Sequence, residues 1–90
     1  MTERRVDRIV GATSMEATID HRRLHNRLKV ARAERGISQE QLASLAGVTR
    51  QTISSIETGQ YVPSALLAFV LADVLEKPVQ ELFTLAGGGA

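Results

Sequence analysis

The chain has 90 residues, with 11 Lys+Arg against 10 Asp+Glu and a formal net charge of +1. It contains no Cys, which excludes a disulfide framework and a thiolate metal cluster. Its length suits one small domain with a thin core, and the longest apolar run, Ala65 to Ala72, falls far short of a bilayer span. No apolar stretch of signal-peptide length lies near Met1, so a cytoplasmic location is expected. A charge of +1 argues at first against a nucleic-acid binder. The charge is unevenly spread, however. Residues 1–36 hold nine Lys+Arg and five Asp+Glu, a net +4, whereas residues 37–90 hold two and five, a net −3.

Residues 1–19 have the weakest pattern. Arg5 to Val10 alternates too briefly to define a strand, and Gly11-Ala12-Thr13-Ser14 reads as a loop. The segment is expected to be a flexible N-terminal arm, with a short strand as the alternative. Asp20 is placed as the N-cap of a first helix in which Leu24, Leu28 and Ala31 follow at helical spacing and Gly36 closes the end. His21 and His25 lie four apart on that helix. No third ligand accompanies them, and Arg22, Arg23 and Arg27 oppose a cation, so the pair is read as solvated or phosphate-facing. No metal and no cofactor are expected.

Ser38-Gln39-Glu40-Gln41 fits a capping box and opens a second helix through Ala46, stopped by Gly47. Thr49 caps a third helix with Ile53 and Ile56 as its apolar stripe, ended by Gly59. Pro63-Ser64 starts a fourth helix running through Leu75. Pro78 suits the first turn of a short fifth helix carrying Val79, Leu82 and Phe83. The expectation is an all-α fold of five helices without a sheet. Residues 20–85 would form the domain, and residues 86–90 a flexible Gly-rich tail.

The informative unit is Gln39 to Thr58. Two short helices meet at Gly47-Val48-Thr49, where a residue without Cβ can adopt a left-handed turn. Ala43 is small where the helices approach, and Leu42, Ala46, Val48, Ile53 and Ile56 form one apolar cluster. This is the pattern of a helix-turn-helix, which presents its second helix to the major groove of DNA.

The stretch Asn26 to Leu85 resembles the lambda-repressor-like, Cro/XRE family of helix-turn-helix DNA-binding domains. The resemblance rests on Arg27-Leu28-Lys29, Arg35 to Ala43, Gly47 to Ser54, Ile56-Glu57-Thr58-Gly59, Pro63-Ser64 and Glu81-Leu82-Phe83. It implies a five-helix domain, a transcriptional regulator, and commonly a dimer. By position it carries DNA contacts onto Gln39, Arg50, Gln51, Ser54 and Ser55, with Gln60 and Tyr61 in the loop laid along the backbone. The residue chemistry agrees: Arg can bond guanine O6 and N7, and Gln can bond adenine N6 and N7. Thr49 and Thr52 are short donors suited to phosphate near a helix N-terminus. The bland alternative is that these are ordinary solvated polar side chains, and Tyr61 could simply pack over its loop. The resemblance further implies an ion pair between Arg32 and Glu57 that locks the third helix to the first; otherwise the two are exposed charges.

The fourth helix is apolar nearly all round. An inward stripe of Leu67, Val70, Leu71, Val74 and Leu75 leaves Leu66 and Phe69 facing elsewhere. A two-fold homodimer would cover them, and the N-terminal arm is the alternative cover. No nucleophile with an activating partner and no carboxylate pair stands out, so an enzyme is not expected. The leading function is a small repressor binding a palindromic double-stranded operator. The alternatives are an antitoxin that also binds a toxin protein, and a protein-interaction adaptor. The intact Thr49-Arg50-Gln51-Thr52 argues against the adaptor.

Overall fold

The computed structural model describes residues 23–86. Its elements, in chain order, are strand β1 (Arg23–Asn26), helices α1 (Leu28–Arg35), α2 (Gln39–Ala46), α3 (Arg50–Glu57), α4 (Ala65–Leu75) and α5 (Val79–Leu82), and strand β2 (Phe83–Ala86). The five expected helices are present, joined by a small two-stranded sheet.

Local chemistry explains most helix ends. Ser38 accepts a hydrogen bond from the Gln41 backbone while the Gln41 side chain accepts one from the Ser38 backbone, a complete capping box. Thr49 caps α3 by accepting from Thr52 N, and Ser64 caps α4 by accepting from Leu67 N. Helices α1 and α2 end on Gly36 and Gly47 with φ of +68° and +79°. Each turn is closed by paired backbone bonds, Gly36 N to Ala33 O with Ile37 N to Arg32 O, and Gly47 N to Ser44 O with Val48 N to Ala43 O. Helix α4 ends with the same pair of bonds, but on Glu76 at φ +57°. A side chain in that conformation is strained.

One sequence expectation is corrected at the first helix. Residues 23–26 are a strand, and α1 starts only at Leu28, so Leu24 does not belong to the helical stripe. Asp20, the expected cap, lies outside the described residues, as does the arm of residues 1–19. Asn26 opens the helix instead: its side-chain carbonyl accepts from Leu28 N at 3.1 Å. The sheet corrects the chain's other end too. Strands β1 and β2 pair antiparallel, with Arg23 opposite Ala86 and Asn26 opposite Phe83. Ala86, expected in the tail, is therefore a strand residue, and Phe83 leaves the fifth helix for the sheet. Arg27 N donates to Leu82 O at 2.9 Å and ties the ribbon to α5. His25 sits in β1 opposite Thr84, so the helical spacing assumed for His21 and His25 does not apply.

The core unites Leu28 and Ala31 of α1, Leu42 and Ala43 of α2, Ile53 and Ile56 of α3, Leu71, Ala72 and Leu75 of α4, and Leu82 of α5. Each fully buried Leu or Ile contributes about 1.5–3 kcal/mol relative to exposure. Ala46, Val48, Leu67 and Val74 pack against this core while staying partly exposed. The expected inward stripe of α4 is thus graded, with Leu71 and Leu75 deepest.

Candidate nucleic-acid interface

Helix α3 places its two isoleucines on the core and exposes the side chains of its first turn. At its first turn Arg50 and Gln51 are exposed, and Thr52 is half-buried. The Thr49 hydroxyl is engaged in capping and lies 3.0 Å from the Thr52 hydroxyl. Gln51 donates through Nε2 to Ser55 Oγ one turn on, at 3.3 Å. Ser54 and Ser55 are half-buried. Their carbonyls accept from the Thr58 hydroxyl at the helix end. The Ser55 carbonyl also accepts from the backbone N–H of Gln60 and Tyr61, which folds that loop back onto α3. Gln60 and Tyr61 themselves are exposed.

Beneath this surface lies a connected set of polar side chains. Arg32 Nε donates to Glu57 Oε2 at 2.8 Å and Arg32 Nη2 to Glu57 Oε1 at 3.3 Å, a two-point pairing across α1 and α3. The third guanidinium nitrogen, Nη1, donates to the Ile37 carbonyl at 3.0 Å. The Glu57 side chain is only 4% exposed and that of Arg32 15%. Burial on its own would raise the Glu57 carboxyl. The hydrogen bonds from Arg32 and Gln39, with the charges of Arg32 and Lys29, outweigh burial and hold it below the ordinary carboxylate value. The hydrogen bond to Glu57 raises Arg32 in turn, against the effect of burial.

Gln39 joins the same set, donating to Glu57 Oε1 at 3.0 Å and accepting from Arg50 Nη1 at 3.2 Å. Gln39, Arg50, Arg32 and Glu57 are therefore brought together, whereas Leu66 and Phe69 stand apart on α4, 76% and 61% exposed. Among the described residues no group of His, Asp and Glu could hold a metal ion, and no helix is long and apolar enough to cross a membrane.

Two contributors escape a reading of the sequence. Asn26 donates through Nδ2 to the Ile56 carbonyl at 2.9 Å, fastening the end of β1 to the end of α3. Its position two residues before the first buried helical leucine is an Asx-turn signal that could have revealed half of this role. Lys29 is the second: its charge favours ionised Glu57, and nothing in its local pattern marks it.

A short helix capped at a tight glycine turn, with exposed Arg and Gln at its first turn and a scaffold helix locked behind it, is the arrangement of a DNA-reading helix-turn-helix. Comparison with known proteins agrees. The family described as Helix-turn-helix matches over residues 28–82. The uncharacterized HTH-type transcriptional regulator YgzD of Bacillus subtilis is 44% identical over 62 residues, covering 69% of this chain and 94% of that protein. An uncharacterized HTH-type transcriptional regulator of Methanocaldococcus jannaschii is 43% identical over 60 residues, covering 67% and 91%. Among solved structures, the restriction-modification controller protein C.AhdI from Aeromonas hydrophila superposes with a TM-score of 0.61 at 38% identity, covering 63% of this chain and 83% of that one. The chain belongs to the helix-turn-helix family. Its function is DNA-binding transcriptional regulation.

Proposed function

We propose that the protein is a small cytoplasmic repressor that inserts α3 into the major groove, with Arg50 and Gln51 reading base edges. The observation that carries this reading is the polarity of α3 from end to end. Its first turn offers an exposed guanidinium and an exposed amide, while Glu57 in its last turn is buried against Arg32. A helix held at one end and carrying side chains that can make two-point hydrogen bonds at the other can discriminate bases by about 1–3 kcal/mol per good pair. Thr52, Gln60 and Tyr61 face phosphate in this arrangement. Thr49 contributes mainly as the cap that directs the α3 backbone N–H groups outward, and Ser54 and Ser55 lie one turn further along the groove. The unit expected at residues 20–85 extends to Ala86, the last residue of β2.

Two such heads, joined through Leu66 and Phe69, would read a palindromic operator. The regulator names of the relatives and the likeness to a restriction-modification controller favour this role over that of an antitoxin. No catalytic step enters it.

Selection of genomic fragments by the purified protein tests the proposal. Enrichment of a short palindromic sequence is expected, with loss of enrichment for Arg50→Ala. Recovery of random fragments, or of none, would dismiss sequence-specific repression.

A further inference from the structure

We infer that Asn26 is a positioning residue for sequence discrimination: it sets the angle of α3 from behind, and it touches no DNA itself. This role rests on the DNA-reading function proposed for α3 and deepens it. Asn26 uses both ends of its amide inside the protein. Its carbonyl oxygen accepts from Leu28 N at 3.1 Å, and its Nδ2 donates to the Ile56 carbonyl at 2.9 Å, across 30 residues of chain. A backbone N–H can only donate and a carbonyl can only accept, so the two partners settle which way the amide points. The backbone of Asn26 is fixed as well. It lies opposite Phe83 in the ribbon, and the next residue, Arg27, donates its N–H to Leu82 O at 2.9 Å. The amide therefore reaches α3 from a frame made by β1, β2 and α5.

The last turn of α3 is gripped in two directions. The Glu57 side chain leaves the helix sideways and is bonded by Arg32 and Gln39. The Ile56 carbonyl points along the helix axis, as helical carbonyls do, and is bonded by Asn26. A short helix held by one side chain can still tilt about that point, and a second bond along the axis removes the tilt. Arg50 lies six residues away, roughly 9 Å along the axis, so a small tilt at Ile56 is carried to the reading end. The Ile56 carbonyl also accepts from Gly59 N at 3.0 Å. A carbonyl has two lone pairs, so losing Asn26 would leave this one with a partner and cost the fold little. What Asn26 adds is direction.

Two substitutions separate the anchor from the turn at the start of α1. Asn26→Ser keeps an oxygen that can accept from Leu28 N but lacks the reach to Ile56. Asn26→Asp keeps the shape and the acceptor but has no N–H to donate. The probe is a duplex enriched by the wild-type protein from a random-sequence pool, measured against an unrelated duplex. Each variant should lower the preference for the enriched duplex by about fivefold, the scale of one neutral hydrogen bond. The ratio of two affinities does not depend on the fraction of protein folded, so a merely structural role would leave it unmoved. An unchanged ratio in both variants would overturn the inference, as would equal weakening on both duplexes, the sign of a direct phosphate contact.

Residual dipolar couplings of the free protein supply the second readout. In Asn26→Ser the N–H vectors of α3 should reorient relative to those of α4, and identical couplings would overturn the anchor. Should Asn26→Ser unfold, Asn26→Asp serves in both measurements; loss of the fold in both variants would make Asn26 a structural residue and overturn its positioning role. Failure of the wild-type protein to enrich any duplex would overturn the DNA-reading role itself, so the two failures are distinct.

Discussion

Helices α3 and α4 share one core, yet their outer sides have opposite chemistry. Helix α3 buries Ile53 and Ile56 and exposes Arg50 and Gln51; α4 buries Leu71, Ala72 and Leu75 and exposes Leu66 and Phe69. Their attachments differ as well. Helix α3 is fastened by side-chain bonds from three other elements, through Arg32, Gln39 and Asn26. Helix α4 is held by apolar packing and its caps. The contrast shows how a small domain divides its work. The element proposed to read hydrogen-bond patterns is held by directional bonds, whereas the element whose outer face is apolar needs only a core beneath it.

Breaking the attachment of α3 should give the largest effect. Glu57→Ala leaves Arg32 unpaired and only partly solvated, and should cost about 3 kcal/mol of stability in denaturant unfolding, the low end for a buried pair. The loss should depend on pH. Glu57 in the folded protein lies below its ordinary value of 4.5, so the pair stabilises fully above that value. As pH falls through the lowered folded value this stabilisation disappears, and the variant and wild type should converge in acid. A difference that persists unchanged at low pH would show that Glu57 acts through packing alone.

The reading end should behave in the reverse manner. Arg50→Ala should lose about 1–3 kcal/mol of operator binding and relax preference at one base pair, as read by competition with base-substituted duplexes. Its stability should shift by no more than about 0.5 kcal/mol, because the side chain is exposed.

On α4, Glu76→Gly relieves a left-handed residue at the price of an exposed pair with Arg35, whose side chains are 41% and 71% exposed. A net gain of about 0.5–1 kcal/mol is expected in thermal melts, since the strain costs roughly 1–2 kcal/mol and such a pair gives little. The smallest change in stability, within about 0.5 kcal/mol, should follow Leu66→Ser with Phe69→Ser. Sedimentation should then show the decisive difference, a shift toward monomer, and an unaltered mass would remove α4 from the dimer proposal.

What could be read from the sequence was local. The box at Ser38, the turn at Gly47, the cap at Thr49 and the start at Ser64 each depend on residues three or four apart, and each is where its pattern places it. The sheet was not legible, because Arg23–Asn26 finds its partner at the far end of the domain. Leu24 also happens to sit at helical spacing from Leu28 and Ala31, which disguised a strand as a helix turn. Glu76 carried no signal either, since a glutamate does not announce a left-handed turn. At the interface, exposed Arg50 and Gln51 were legible from their place after Thr49. The pairing of Arg32 with Glu57 came from family resemblance rather than residue chemistry. The link through Gln39 needed coordinates, because the identity of a glutamine does not say which way its amide points.

The ribbon has a practical consequence. Arg23 and Ala86 face each other at one end of it, so the first and last of the described residues lie side by side. A unit built in this way can be grafted as a single piece into a surface loop of a host protein, needing only a narrow gap between the two splice points. Transplanted so, it would carry its DNA-reading face as an insertion cassette and leave the host's own fold continuous on either side.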